Sequence, residues 1–239
     1  MSCLDHWPTP TSPDVLRTVQ TVVFSHSALS LPGRYPAAMV LAQVLERHGV
    51  VLAENAYLSY GQAVVHQSAA GTTEAIADLI RWLLDLYHPR SDLDPLQIVV
   101  ELFDKVGDAP VEESAAGVVT DLLKAGYRVL VATNTCRTRA QRRTTLDAAG
   151  LEQVGLVASS EIGVGKPHRR FYERVWELAG EPHRVLWVGT DRDCDATAPA
   201  RFGAHALLLA RGWSRPPTCR NSVIDSLEAL RPLLLGRDP

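Results

Sequence analysis

The chain has 239 residues, 46% of them hydrophobic, and a formal net charge of −3. That length suits one large α/β domain or a core with a smaller insert, and its apolar content is ample for a buried interior. With no basic block and a near-neutral balance, nucleic acid is not expected as a partner, because binding it requires phosphate neutralisation.

The first residues, Met1–Pro13, hold Asp5, three prolines and no apolar run, which does not read as a secretion signal. Nothing downstream approaches the ~18 consecutive apolar residues of a membrane span. Cys3, Cys136, Cys194 and Cys219 have neither CxxC pairing nor metal-finger spacing. The expectation is a cytoplasmic protein with reduced thiols and no membrane partner.

Short apolar runs at Val19–Phe24, Arg128–Ala132, Leu156–Ser159, Val185–Gly189 and Ala204–Leu209 read as strands buried on both faces. Amphipathic helices are predicted over Thr138–Ala149, Arg170–Ala179 and Thr197–Phe202, with Gly150, Gly180 and Gly203 placed to end them. The gap between the first two strands is too long for one crossover. It holds four more helical patterns, Pro36–His48, Val51–Ser68, Thr72–Tyr87 and Asp94–Lys105, and a fifth, Val111–Ala125, leads into the second strand. Arg215–Pro217 reads as a surface turn. The organisation predicted is an α/β protein: a doubly wound parallel sheet, Rossmann-like, with an inserted α-helical cap domain. Residues 1–31 and 110–239 form the core and 32–109 the insert.

Lysine occurs only at Lys105, Lys124 and Lys166, against many arginines, so a lysine inside a motif carries weight. Three segments have motif character. Tyr127–Thr135 is a strand delivering Thr133 and then Asn134. Gly165–Lys166–Pro167 comes next. Val185–Gly203 ends a strand in the acidic loop Asp191–Asp195. In this order, with the helical insert after the first strand, the chain resembles the haloacid dehalogenase-like (HAD) superfamily, in the branch of phosphoglycolate phosphatases and haloacid dehalogenases. The resemblance runs from about Val19 to Arg211.

That resemblance implies a pair of aspartates after the first strand, one attacking phosphorus and one protonating the leaving group. Here the segment is Phe24–Ser25–His26–Ser27–Ala28–Leu29, and serine stands at both places. The first carboxylate of the last motif falls on Thr190. Mg²⁺, which the family implies, wants an octahedral oxygen shell anchored by carboxylates. It is therefore disfavoured, and no metal or other cofactor is expected, although a one-residue shift would make Asp191 and Asp195 a candidate pair.

Strand alternation points His26 away from the face shared by Ser25 and Ser27, but a loop after the strand would break that alternation, so His26 stays open as the base that Ser25 needs. What the resemblance leaves is an anion cradle. Ser25, Ser27 and Lys166 would arrange a substrate, with Thr133, Asn134, Asp191 and Asp195 as ligand-binding residues. The loop amides after Phe24 would add donors.

The bland alternatives are a dead site of drifted serines, turn chemistry at Asn134, and helix capping by Asp195. Cys136 and Cys194 are expected in loops near the pocket, and Tyr57 and Tyr60 at the cleft beneath the insert. Three functions are compatible with these residues. The first is an atypical HAD-like protein that binds a small anionic molecule between insert and core, with a metal-independent reaction left open. The second is a pseudoenzyme docking a protein partner, or a second copy as a homodimer, through its helical insert. The third is a Mg²⁺-dependent phosphohydrolase using unusual residues.

Overall fold

A computed structural model describes residues 16–30, 37–70, 73–210 and 223–236. Met1–Pro13 and Arg215–Pro217 lie outside the described residues, as do Cys3 and Cys219.

The chain enters through β1 (Thr21–Ser25) and turns at once into the short α1 (His26–Leu29). Four helices come next: α2 (Ala37–Arg47), α3 (Glu54–Ala70), α4 (Thr73–Tyr87) and α5 (Pro95–Val106). Then come α6 (Glu113–Lys124), β2 (Arg128–Thr133), α7 (Arg139–Asp147), β3 (Gly155–Ala158), α8 (Ser159–Ile162) and α9 (Arg169–Ala179). The chain continues through β4 (Val185–Gly189), α10 (Ala198–Arg201), β5 (His205–Leu209) and β6 (Val223–Ile224). All five predicted strands are present within two residues at each end. β1 runs one residue further than the sequence suggested, so Ser25 belongs to the strand and the segment after it is helical, not a loop. β6 was not anticipated: two residues are too few for a periodic signal.

The six strands form one sheet in the order β3-β2-β1-β4-β5-β6, and every pair is parallel. Strand alternation divides the core between its faces. Val22, Phe24, Val129, Val131, Leu186 and Val188 pack under α6, α7 and Leu227, Leu230 and Leu234 near the C-terminus. Val23, Leu130, Trp187 and Leu208 pack on the other face against Phe171, Tyr172 and Val175 of α9. Both faces are covered, which is why the strand sequences show continuous apolar runs rather than alternation.

Helices α2–α5 enclose a separate apolar cluster that includes Leu41, Leu45, Tyr60, Ile76, Ile80, Leu83, Ile98 and Leu102. Asp94 caps α5, its carboxylate accepting the Leu96 N–H at 3.0 Å, with Pro95 in the first turn where no N–H is needed. The chain leaves and re-enters the sheet domain through two linkers that touch. Ser30 bridges Val111 in antiparallel fashion, and the Glu112 N–H donates to the Leu29 carbonyl at 2.8 Å. Thr138 and Gln141 form a capping box that starts α7.

Candidate functional site

In this topology β1–β3 wind one way and β4–β6 the other, so the C-terminal ends of β1 and β4 flank the switch point, the place at which open α/β sheets in general take their ligands. Ser25 ends β1 there, buried, and its Oγ lies 3.0 Å from Ser27 Oγ. Ser27 Oγ lies 2.7 Å from Thr190 Oγ1, the first residue beyond β4. The three positions where carboxylates were expected are thus joined as a chain of hydroxyls across the crevice.

Lys166 and Asp195 meet just below. Lys166 Nζ donates to Asp195 Oδ1 at 2.6 Å, with the two side chains only 6% and 1% exposed. Trp187 Nε1 donates to the same oxygen at 3.2 Å, and the N–H groups of Thr190 and Asp191 donate to Oδ2 at 3.0 and 3.1 Å. Burial alone would raise the Asp195 carboxyl's pKa. The Lys166 ammonium and the two backbone donors outweigh it and hold the group below the ordinary carboxylate range. Gly189 is required beside it: a Cβ at that position would overlap the Asp195 side chain. The helix-capping reading of Asp195 is therefore corrected. Its carboxylate binds N–H groups four and five residues earlier and fixes the loop, while Asp193–Thr197 form a π-helical turn ahead of α10.

Asn134 is spent on the backbone of Lys166: its Nδ2 donates to the Lys166 carbonyl at 2.9 Å and its Oδ1 accepts the Lys166 N–H at 2.7 Å. Thr133 Oγ1 donates to the Asn134 carbonyl at 3.2 Å. Both residues shape the loop that delivers Lys166, which is the turn chemistry the sequence offered as an alternative. Asp191 is exposed, and its Oδ1 accepts the Cys194 N–H at 2.7 Å.

Of the two orientations left open for His26, the structure has the ring turned away from the serines. Its Nδ1 is 3.2 Å from Ser30 Oγ and its Nε2 is 3.4 Å from Arg142 Nη1. Burial and then the Arg142 charge lower its pKa to about 4, so it is neutral at pH 7. A guanidinium only donates, so Nε2 accepts and the proton sits on Nδ1 facing Ser30. No ring nitrogen is left to serve as a base for Ser25.

Cys136 and Cys194 lie in the loops after β2 and β4, as expected, while Tyr57 and Tyr60 are engaged within the inserted helices. Cys136 is buried in the cluster of the inserted helices. Tyr60 lies in the same cluster, and the Tyr57 hydroxyl accepts the Leu52 N–H at 3.2 Å. Cys194 does lie in the acidic loop, but burial and Asp191 push its thiol up to about 12, the wrong direction for a nucleophile. Arg142 and Asp108, prominent around His26, carried no motif in the sequence. The only signal for them would have been charged residues close to predicted element boundaries.

The donor set does not fit Mg²⁺. Both Asp195 oxygens are bound by protein donors and one meets an ammonium, Asp191 and Asp193 are exposed in the loop, and the groups on the β1 side are neutral hydroxyls. Among the described residues no group of three or more His, Cys, Asp or Glu converges as a metal site. A groove of about 1070 Å³ lies at the opposite, N-terminal end of the strands, lined by Gln20, Tyr127, Arg128, Glu181 and Arg184. Its arginines are engaged, Arg128 with the Leu178 carbonyl at 2.9 Å and Arg184 with Glu181 at 3.7 Å, and it lies at the other end of the strands from Ser25, Thr133 and Thr190.

The family model of haloacid dehalogenase-like hydrolases matches residues 9–203. Solved structures of similar shape include a 2-haloacid dehalogenase from Pseudomonas syringae pv. Tomato, 17% identical, covering 90% of this chain and 98% of that one at a TM-score of 0.63. The L-2-haloacid dehalogenase of Xanthobacter autotrophicus is 18% identical, covering 92% and 100% at 0.62. A HAD phosphatase from Thermococcus onnurineus is 17% identical, covering 92% and 99% at 0.61. At such identities the structures speak for the fold, and the family match spans most of the sequence. The chain belongs to the haloacid dehalogenase-like hydrolase family.

Proposed function

We propose that this chain is an atypical member of that family, one that binds a small anionic molecule between the inserted helices and the strand ends without aspartyl-phosphate chemistry and without a metal ion. The observation that carries the reading is the hydroxyl chain Ser25–Ser27–Thr190 standing where carboxylates would repel an anion. Hydroxyls both donate and accept, so they serve a ligand's oxygens directly. Lys166 spends one of its three N–H donors on Asp195, and that pair leaves the crevice near neutral instead of strongly negative. Binding comes before catalysis in this reading, because Ser25 has no base within the His26 network.

A second reading, a pseudoenzyme that docks a protein, is favoured by one observation. Met39, Val51, Leu58, Trp82, Leu86, Leu96 and Val100 are the exposed large hydrophobics among the described residues, and all lie between α2 and α5.

A thermal-shift survey with phosphate, sulfate, acetate and a panel of phosphorylated and carboxylated metabolites, each with and without Mg²⁺, separates the two. A ligand at ~100 times its dissociation constant adds about 2.7 kcal/mol. The proposal expects such a shift for an anion, independent of Mg²⁺ and diminished in Ser27→Val. Silence from every anion removes it and leaves the docking reading.

A further inference from the structure

The inserted helices are tied to the sheet by a part-buried charge network that begins beside the strand-end crevice, at His26 and Thr135. Its centre is Arg142 on α7, whose side chain is 13% exposed. Arg142 Nη1 pairs with Asp108 Oδ1, Nε donates to Thr135 Oγ1 at 2.9 Å, and Nη1 also faces His26 Nε2 at 3.4 Å. Asp108 lies in the exit linker, one residue past the Gly107 that ends α5. Its other oxygen accepts from Thr145 Oγ1, one turn along α7, at 2.5 Å.

Arg137 reinforces the same joint. Its Nη2 donates to the Phe103 carbonyl at 3.0 Å and to the Gly107 carbonyl, and its guanidinium stacks 4.8 Å from the Phe103 ring centroid. Both carbonyls lie at the C-terminal end of α5, where a cation is stabilised, and the Phe103 carbonyl also accepts the Gly107 N–H at 3.1 Å. Arg137 Nε is also 3.7 Å from Asp108. The entry linker is held through His26, which contacts Ser30 at 3.2 Å. Thr73 at the start of α4 adds a bond to the Cys136 carbonyl at 2.7 Å. Both linkers are thus held to one helix of the sheet, through a carboxylate that is 16% exposed and bound by Arg142 and Thr145 together.

We infer that the Asp108–Arg142 pair is a lock that keeps the inserted helices in one orientation over the strand ends. Arg137 secures α5 and His26 secures the entry linker. The lock does not depend on which ligand the crevice takes, so it stands or falls separately from the binding reading.

Amide hydrogen exchange on the full chain, wild type against Asp108→Asn, tests it, with small-angle scattering alongside. The lock predicts that exchange in Asp108→Asn rises at least about tenfold at the linker amides of residues 30, 107–109, 111 and 112, and at the end of α5, with a larger radius of gyration. Amides of β1 and β4 keep wild-type rates, since local opening does not require global unfolding. A uniform rise across the molecule, or no change at the linkers, overturns the inference. Should Asp108→Asn fail to fold, Thr145→Val, which removes one hydrogen bond to the same carboxylate, is read by the same two outcomes.

Discussion

Replacing Lys166 with methionine removes the ammonium and keeps most of the side chain's bulk. Asp195 is then left 1% exposed with three hydrogen bonds, from Trp187 and the Thr190 and Asp191 amides, and no counter-charge. Breaking a buried pair from one side costs about 3–5 kcal/mol, and the three surviving bonds place this site near the lower end. At roughly 2–4 °C per kcal/mol for a chain of this size, the melting temperature falls by ~6–12 °C at pH 7. The pH dependence carries the sharper test. In the wild type the Asp195 pKa is depressed, so its contribution is present above the unfolded carboxylate value and lost as pH falls through the folded one. In Lys166→Met burial dominates and the folded pKa rises, so protonation relieves the variant as pH falls. Urea denaturation of both proteins at pH 7 and pH 4.5 therefore shows a gap that narrows on acidification. A gap of constant size, or one below about 1 kcal/mol at pH 7, refutes the account of the pair.

The same contacts set further outcomes. Gly189→Ala drives a methyl into the Asp195 side chain and is expected to destabilise by about 1–3 kcal/mol in urea melts. His26 is buried neutral with a pKa near 4, so its contribution is complete above the unfolded value of 6.5 and is lost as pH falls toward 4. That window is worth up to ~3 kcal/mol, and His26→Gln is expected to flatten the stability profile across it. With its thiol near 12, Cys194 should alkylate at pH 8 roughly a thousandfold more slowly than an ordinary thiol, as peptide mass spectrometry can show. Trp82→Glu, on an exposed face of α4, should leave stability within about 0.5 kcal/mol.

The sheet was legible because buried parallel strands write short apolar runs, and Val185–Gly189 was read to the residue. The inserted helices were legible from their stripes, as at Ile76, Ile80, Leu83 and Leu84. Order and spacing also named the residues that do gather at the crevice: Ser25, Ser27, Thr190, Lys166 and Asp195. Roles were harder to read. Asn134 looked like a donor for a ligand but serves the Lys166 backbone. Asp195 looked like a cap for the helix after it but binds the amides of Thr190 and Asp191 before it. A sequence gives which polar groups are available, whereas their partners depend on loop paths set by tertiary packing. Arg142 and Asp108 are 34 residues apart and joined only by the fold, so no local pattern announces them.

The proposed function rests on a family fold working without the family's carboxylate and metal chemistry. Its most direct test is calorimetric titration of Mg²⁺ into the wild-type protein, paired with p-nitrophenyl phosphate hydrolysis with and without the ion. Metal-independent binding predicts no saturable heat and no turnover above buffer in either condition. Saturable Mg²⁺ binding accompanied by Mg²⁺-dependent hydrolysis would contradict it and return Asp191 to the role of metal ligand.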